Sequence, residues 1–216
     1  MLEFFKYWRP SHSKSASTQL AARAHELRVA LRSRDPALVA ARSGASYLEL
    51  GPGRGELQVP LWGEICIFSW PELTGFNARD DLLPDFQQTL LLYYLSTSDA
   101  APLTGKWVSF AELPDGRIYN AAFQGYSGDE ISKTFGPNLD AFTKACTLVG
   151  GIEAGIGDAS FIFQALPPVP LMVTYWLGDE DFPSSCKILF DESACHYLPV
   201  DACAILGGML ARRLLS

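Results

Sequence analysis

Hydrophobic and polar positions along the chain switch between a helical period and a strand period. Leu20, Ala24, Leu27 and Leu31 recur at helical spacing, with Arg23, Arg28 and Arg32 on the opposite, solvated side. Asp35-Pro36 supplies an N-cap followed by proline at the first helical position, and the short helix it opens ends at Ser43-Gly44. From Tyr47 to Trp70 the period becomes two: Leu57, Val59 and Leu61 alternate, and Ile65-Cys66-Ile67-Phe68 follows a turn at Trp62-Gly63, which predicts a β-meander. A helix then starts at Pro84-Asp85 with Phe86, Leu90 and Tyr94 on one face, and ends between Ser96 and Pro102.

Short strands are expected over Gly105–Leu113 and Arg117–Phe123, around the turn Pro114-Asp115-Gly116. Ser127–Gly150 predicts two helices broken at Gly136-Pro137, because Pro137 has no N–H to donate. Strands are expected over Ser160–Leu166, Leu171–Leu177 and Cys186–Phe190. A last helix follows Pro199, with Leu206, Leu210 and Leu214 spaced by four and Arg212-Arg213 in its final turn. The expected fold is α+β: a single compact domain over residues 18–216 with antiparallel β-meander and hairpins, several short helices and a helical N-terminal arm. Ser-rich residues 11–18 make residues 1–17 a flexible lead-in.

Charge and cysteine content narrow the function classes. The 216 residues carry 17 Lys+Arg and 24 Asp+Glu, a net charge of −7. Residues 1–60 are basic, and the acidic remainder argues against a nucleic-acid face, which needs clustered Lys and Arg. No apolar run approaches the roughly 18–20 residues of a membrane span. Five cysteines without a C-x-x-C pair read as reduced thiols of a cytoplasmic protein. The terminus Met1–Pro10 does not read as a signal peptide, since Glu3 and Lys6 interrupt any apolar core; its aromatics with Lys6 and Arg9 suit a membrane surface or a protein partner, against the plainer and preferred reading of a frayed terminus.

Two stretches bear on chemistry. Glu49-Leu50-Gly51-Pro52-Gly53-Arg54-Gly55 fits the glycine motif of S-adenosylmethionine-dependent methyltransferases, and Glu72 stands where the ribose-binding acid belongs. That motif needs a helix before the next strand, whereas Glu56–Glu64 alternates and contains Pro60 and Gly63, so a hairpin turn is expected instead. The second stretch, Phe190–Pro199, holds Asp191, Glu192, Cys195, His196 and Tyr197 in a polar loop, where imidazole is suited to proton transfer near neutral pH. A Cys195–His196 nucleophile pair is disfavoured because adjacent residues in an extended segment point apart. The spacing matches no metal pattern, so no metal site is assigned. Asp191, His196 and Tyr197 remain as pocket-lining groups, against the plainer reading in which Asp191 and Ser193 cap a turn and Tyr197 packs. Lys106 beside Trp107 is an anion partner or a solvated lysine, and Asp179-Glu180-Asp181 reads as a solvated turn.

Pro102–Pro114, Gly178–Pro183, Ile188–Ala194 through His196–Pro199, and the helical stretch Asp35–Ala45 together resemble a prokaryotic family described as domain of unknown function 3786, over roughly residues 18–215. The resemblance implies a variable hairpin around Gly51–Gly55 and brings no established activity or catalytic residue. Some relatives carry an added iron–sulfur segment, which implies an accessory role in metallocofactor or redox metabolism; this chain lacks that cysteine cluster. The leading expectation is a small-ligand- or cofactor-binding protein of that kind, its cofactor unknown, with a site near Lys106, Trp107, Asp191, His196 and Tyr197. The alternative is an enzyme with His196 as general acid/base and Asp191 as its orienting carboxylate. An interaction module docking through the N-terminal arm, and a methyltransferase, rank below these.

Overall fold

The computed structural model describes residues 14–216, with side chains from residue 20 onward. The aromatic terminus, read as a frayed end or else a surface for a partner, therefore lies outside the described residues. The chain is α+β, and it forms two compact units, each assembled from separate stretches of sequence.

The first unit runs to Pro102 and adds Ala165–Pro168 and His196–Ala202. It contains α1 (Lys14–Arg32), α2 (Pro36–Ser43), the antiparallel meander β1 (Ser46–Gly51), β2 (Arg54–Leu61), β3 (Glu64–Trp70) and β4 (Gly75–Phe76), and α3 (Asp85–Thr97). α1 begins at Lys14, inside the stretch expected as a lead-in. The cap on α2 is as expected: Asp35 accepts a hydrogen bond from the Ala37 N–H at 2.9 Å. β2 buries Leu57, Val59 and Leu61 on one face, and β3 buries Cys66, Phe68 and Trp70.

The basic face of α1 is not simply solvated. Arg28 Nε donates to the Leu73 carbonyl at 2.9 Å and its Nη2 to Gln88 at 2.7 Å; Arg32 donates to the carbonyls of Pro71 and Glu72. Arg23 reaches Glu26 and the Tyr93 hydroxyl. Arg28 and Arg32 thus satisfy carbonyls of an irregular turn that would otherwise need water or ladder partners.

Glu49–Gly55 forms the β1–β2 hairpin, with Glu49 opposite Gly55 and Gly51 opposite Arg54. Gly53 sits at φ +68, and a Cβ on Gly55 would fall 2.5 Å from the Tyr47 ring and 2.6 Å from the Leu48 carbonyl. Turn geometry and close strand contact therefore account for these glycines, and no helix follows them to meet a nucleotide.

The second unit comprises Leu103–Gln164, Val169–Cys195 and Cys203–Ser216. Its elements are β5 (Trp107–Ser109), α4 (Gly116–Tyr126), α5 (Gly128–Phe135), α6 (Leu139–Leu148), β6 (Ile152–Glu153), β7 (Ala159–Leu166), β8 (Val169–Trp176), β9 (Ser185–Asp191) and α7 (Val200–Leu215), some running on past the unit's limits. The sheet order is β5-β9-β8-β7-β6. β8 is buried along nearly its whole length, both its faces being covered, while its neighbour β9 alternates, with one face more exposed.

Two expectations change here. Only Trp107–Ser109 of the expected Gly105–Leu113 strand is extended, because Ser109 and Glu112 form a reciprocal capping box that turns the chain into a 3-10 segment. Arg117–Phe123 is helical rather than a strand. Gly116, Tyr119, Asn120, Phe123, Gln124 and Tyr126 are its shielded positions, and Ser127 just beyond it is buried, a helical rather than a two-residue period. Phe123 stacks on Phe110 with ring centroids 4.2 Å apart, and Gly207 of α7 lets the helix pass close to that ring.

Candidate functional site

The residues singled out in the sequence fall into two separate arrangements. In the second unit, buried Asp191 is saturated by its own surroundings. Its Oδ1 accepts from the Thr104 N–H and hydroxyl, each at 3.1 Å, and from the Ser193 N–H and hydroxyl at 2.9 and 2.7 Å. Its Oδ2 accepts from the Gly105 N–H at 2.7 Å. Burial alone would raise the carboxyl pKa, but the Ser193 hydroxyl and these backbone N–H groups outweigh it and hold the value below the ordinary range. Lys106 Nζ lies 2.6 Å from Glu192 Oε1, so its charge is met by a neighbour in the same clasp. Trp107 is half-buried and opposes Asp191 in the β5–β9 register. The clasp joins two of the segments that carry the family resemblance, and what it does is fasten them.

In the first unit, His196 Nδ1 meets Asp99 Oδ2 at 2.7 Å. The carboxylate on His196 is thus Asp99, where Asp191 was expected, since Asp191 is filled by the Thr104–Gly105 and Ser193 groups. Tyr197 is buried, donates to the Ala101 carbonyl, and lies 6.3 Å from the Tyr94 ring. Tyr94 in turn donates to the Ser43 carbonyl. Tyr197 therefore packs and fastens the 99–101 turn.

A separate concavity of about 890 Å³ opens within the second unit. One wall is α5, with Asp129, Ser132 and Lys133, continued by Gly136-Pro137; the other is the loop Gly178–Ser185, and Cys186 and Lys187 of β9 lie between. The loop is built rather than slack. The Asp179 N–H donates to the Phe182 carbonyl at 2.9 Å, and Asp179 Oδ1 accepts from the N–H groups of Asp181 and Phe182. Ser184 donates to the Gly136 carbonyl at 2.9 Å, tying loop to wall, and Tyr175 donates to the same carbonyl at 2.6 Å. Gly178 is required there, since a Cβ would meet the Phe182 carbonyl at 2.5 Å. This framework holds Phe182 outward, 71% exposed, at the cleft.

The cysteines contribute no reactive cluster. None of the five is in a disulfide, and burial pushes the thiols of Cys66 and Cys146 up to about 11 and about 12, and raises that of Cys186 as well. Among the described residues, no group of three or more His, Cys, Asp or Glu side chains is placed to hold a metal ion. No helix among them is long and apolar enough to cross a membrane.

Sequence reasoning missed both Asp99 and the cleft. Asp99 lies 97 residues from His196, with no motif to link them. The cleft had one signal: an aromatic flanked by proline inside the acidic turn Gly178–Pro183, where a merely solvated loop has no need of a phenylalanine.

These features define an α+β protein with a cleft walled by a helix and a hydrogen-bonded loop. The chain belongs to the family described as Domain of unknown function (DUF3786), whose model matches residues 35–213. That span includes the whole cleft, the Asp191 clasp and the Asp99–His196 pair. Comparison with curated proteins and with solved structures finds no match.

Proposed function

We propose that the protein binds a small molecule in the cleft between α5 and the Gly178–Ser185 loop. The observation that carries this reading is Phe182, an aromatic ring held in solvent by a loop whose backbone is fixed at Gly178, Asp179 and Ser184. Covering a phenylalanine side chain is worth roughly 1.5–3 kcal/mol, which a ligand seated against the ring recovers. The cleft volume also falls in the range of sites for drug-sized ligands. A fragment library screened by amide NMR tests this. Shifts should cluster on residues 129–137 and 178–187 and fade in F182A; a library whose shifts all map elsewhere refutes it. An accessory role in metallocofactor or redox metabolism rests on the family resemblance alone. Absorbance and mass spectrometry of the purified protein are its test.

A second reading is catalytic, with His196 as general acid/base and Asp99 as the carboxylate that orients it. Its support is the 2.7 Å contact at Nδ1, which directs Nε2 away from the pair. Turnover on a panel of chromogenic esters and phosphoesters that vanishes in H196A and drops in D99N supports this; turnover indifferent to both, or none, rejects it.

A further inference from the structure

The cleft carries charges of both signs that its own walls leave unneutralised. Lys133 and Lys187 make no ion pair among the described residues, and neither do Asp129 and Asp179. Asp129 precedes Lys133 by four positions on α5, a spacing at which opposite charges commonly pair, yet these two do not. Lys187 Nζ stands 5.9 Å from the Trp176 ring centroid, and Glu112, outside the cleft, is the acidic group that feels its charge.

Building on the ligand-binding reading above, we infer that the ligand is a ring-bearing zwitterion of about dipeptide size. Its ammonium meets the aspartates, its carboxylate meets the lysines, and its ring covers Phe182. A purely anionic ligand would bring a carboxylate beside Asp129 and Asp179, and a purely cationic one would face two ammonium groups. Either arrangement sets like charges together at a cost that a zwitterion avoids. Aromatic rings also gain from stacking beyond the area they bury, which favours a ring over an aliphatic side chain at Phe182.

Titration of the full chain by amide NMR tests the inference with four probes: glycylphenylalanine, its N-acetyl form, its C-terminal amide, and diglycine. These vary charge and ring independently. Glycylphenylalanine should shift Lys133, Ser185 and Lys187 with a Kd about tenfold below those of the other three. F182A should bring it level with diglycine, and K133Q should weaken glycylphenylalanine while leaving the amide unaffected. Equal binding of the acetylated or amidated form overturns the inference, and so does silence to all four probes. If uncharged or singly charged fragments still map to the cleft, the binding function survives without the zwitterion. If nothing maps there, both fail.

Discussion

Asp99 holds His196 Nδ1 at 2.7 Å although 97 residues separate them in the chain. The His196 side chain is the main cause that lowers the Asp99 carboxyl pKa below its ordinary value. A carboxylate depressed in the folded state adds stability above its unfolded pKa, and loses it as pH falls through the lower folded value. Both side chains are about half exposed, so the effect on overall stability is screened and small. The clearer readout is local. In H196A, the Asp99 carboxyl should titrate upward, toward the ordinary aspartate range, followed by carbon-detected NMR. An unchanged midpoint would show that the pair does not persist in solution.

Asp191 should behave as a structural carboxylate. D191A leaves the N–H groups of Thr104, Gly105 and Ser193 without their shared acceptor, at a cost of about 3 kcal/mol. For a chain of this length that lowers Tm by about 6–12 °C. K106Q removes only an exposed partner of Glu192 and should leave Tm nearly unchanged. The Asp191 contribution is present at neutral pH and fades as pH falls through its depressed folded value, so wild type and D191A should converge in acid.

The glycine hairpin makes two separable predictions. G55A should destabilise the protein by about 1–3 kcal/mol, because the new methyl group meets the Tyr47 ring and the Leu48 carbonyl. S-adenosylmethionine should leave the wild-type Tm unmoved, since a hairpin offers its carboxylate no helix N-terminus.

Thiol reactivity should isolate one cysteine. Cys195 is half-buried, whereas Cys66, Cys146, Cys186 and Cys203 are buried, the first three with raised pKa. A chromogenic disulfide reagent near pH 8 should therefore react rapidly with a single thiol per native chain, and C195S should abolish that phase. A rapid phase that survives C195S would place another thiol at the surface.

Periodic segments were readable wherever burial alternates with the element's own period. β2 declares itself through Leu57, Val59 and Leu61, and α7 through Leu206, Leu210 and Leu214, all buried. α4 was misread because the turn Pro114-Asp115-Gly116 suggested a strand on either side of it; Ile118 is 74% exposed, and the helical register emerges only from Tyr119, Phe123 and Ser127. The arginines of α1 looked solvated because half of their acceptors are backbone carbonyls, which leave no trace in residue identity, and the rest are side chains with no motif to link them. His196 drew notice through its chemistry, but its partner came from a turn with no motif. Phe182 was hidden by the acidic residues around it, whose charge marks a surface loop without showing what the loop presents.

The Asp191 clasp has a kinetic consequence. Its carboxylate and the Gly105 N–H are 86 residues apart, so making the bond closes a long loop whose entropy opposes early formation. A clasp that closes late is a seal on a finished unit rather than a nucleus. Removing it should leave the refolding rate almost untouched and accelerate unfolding, which makes Asp191 a determinant of how long the native state lasts once reached.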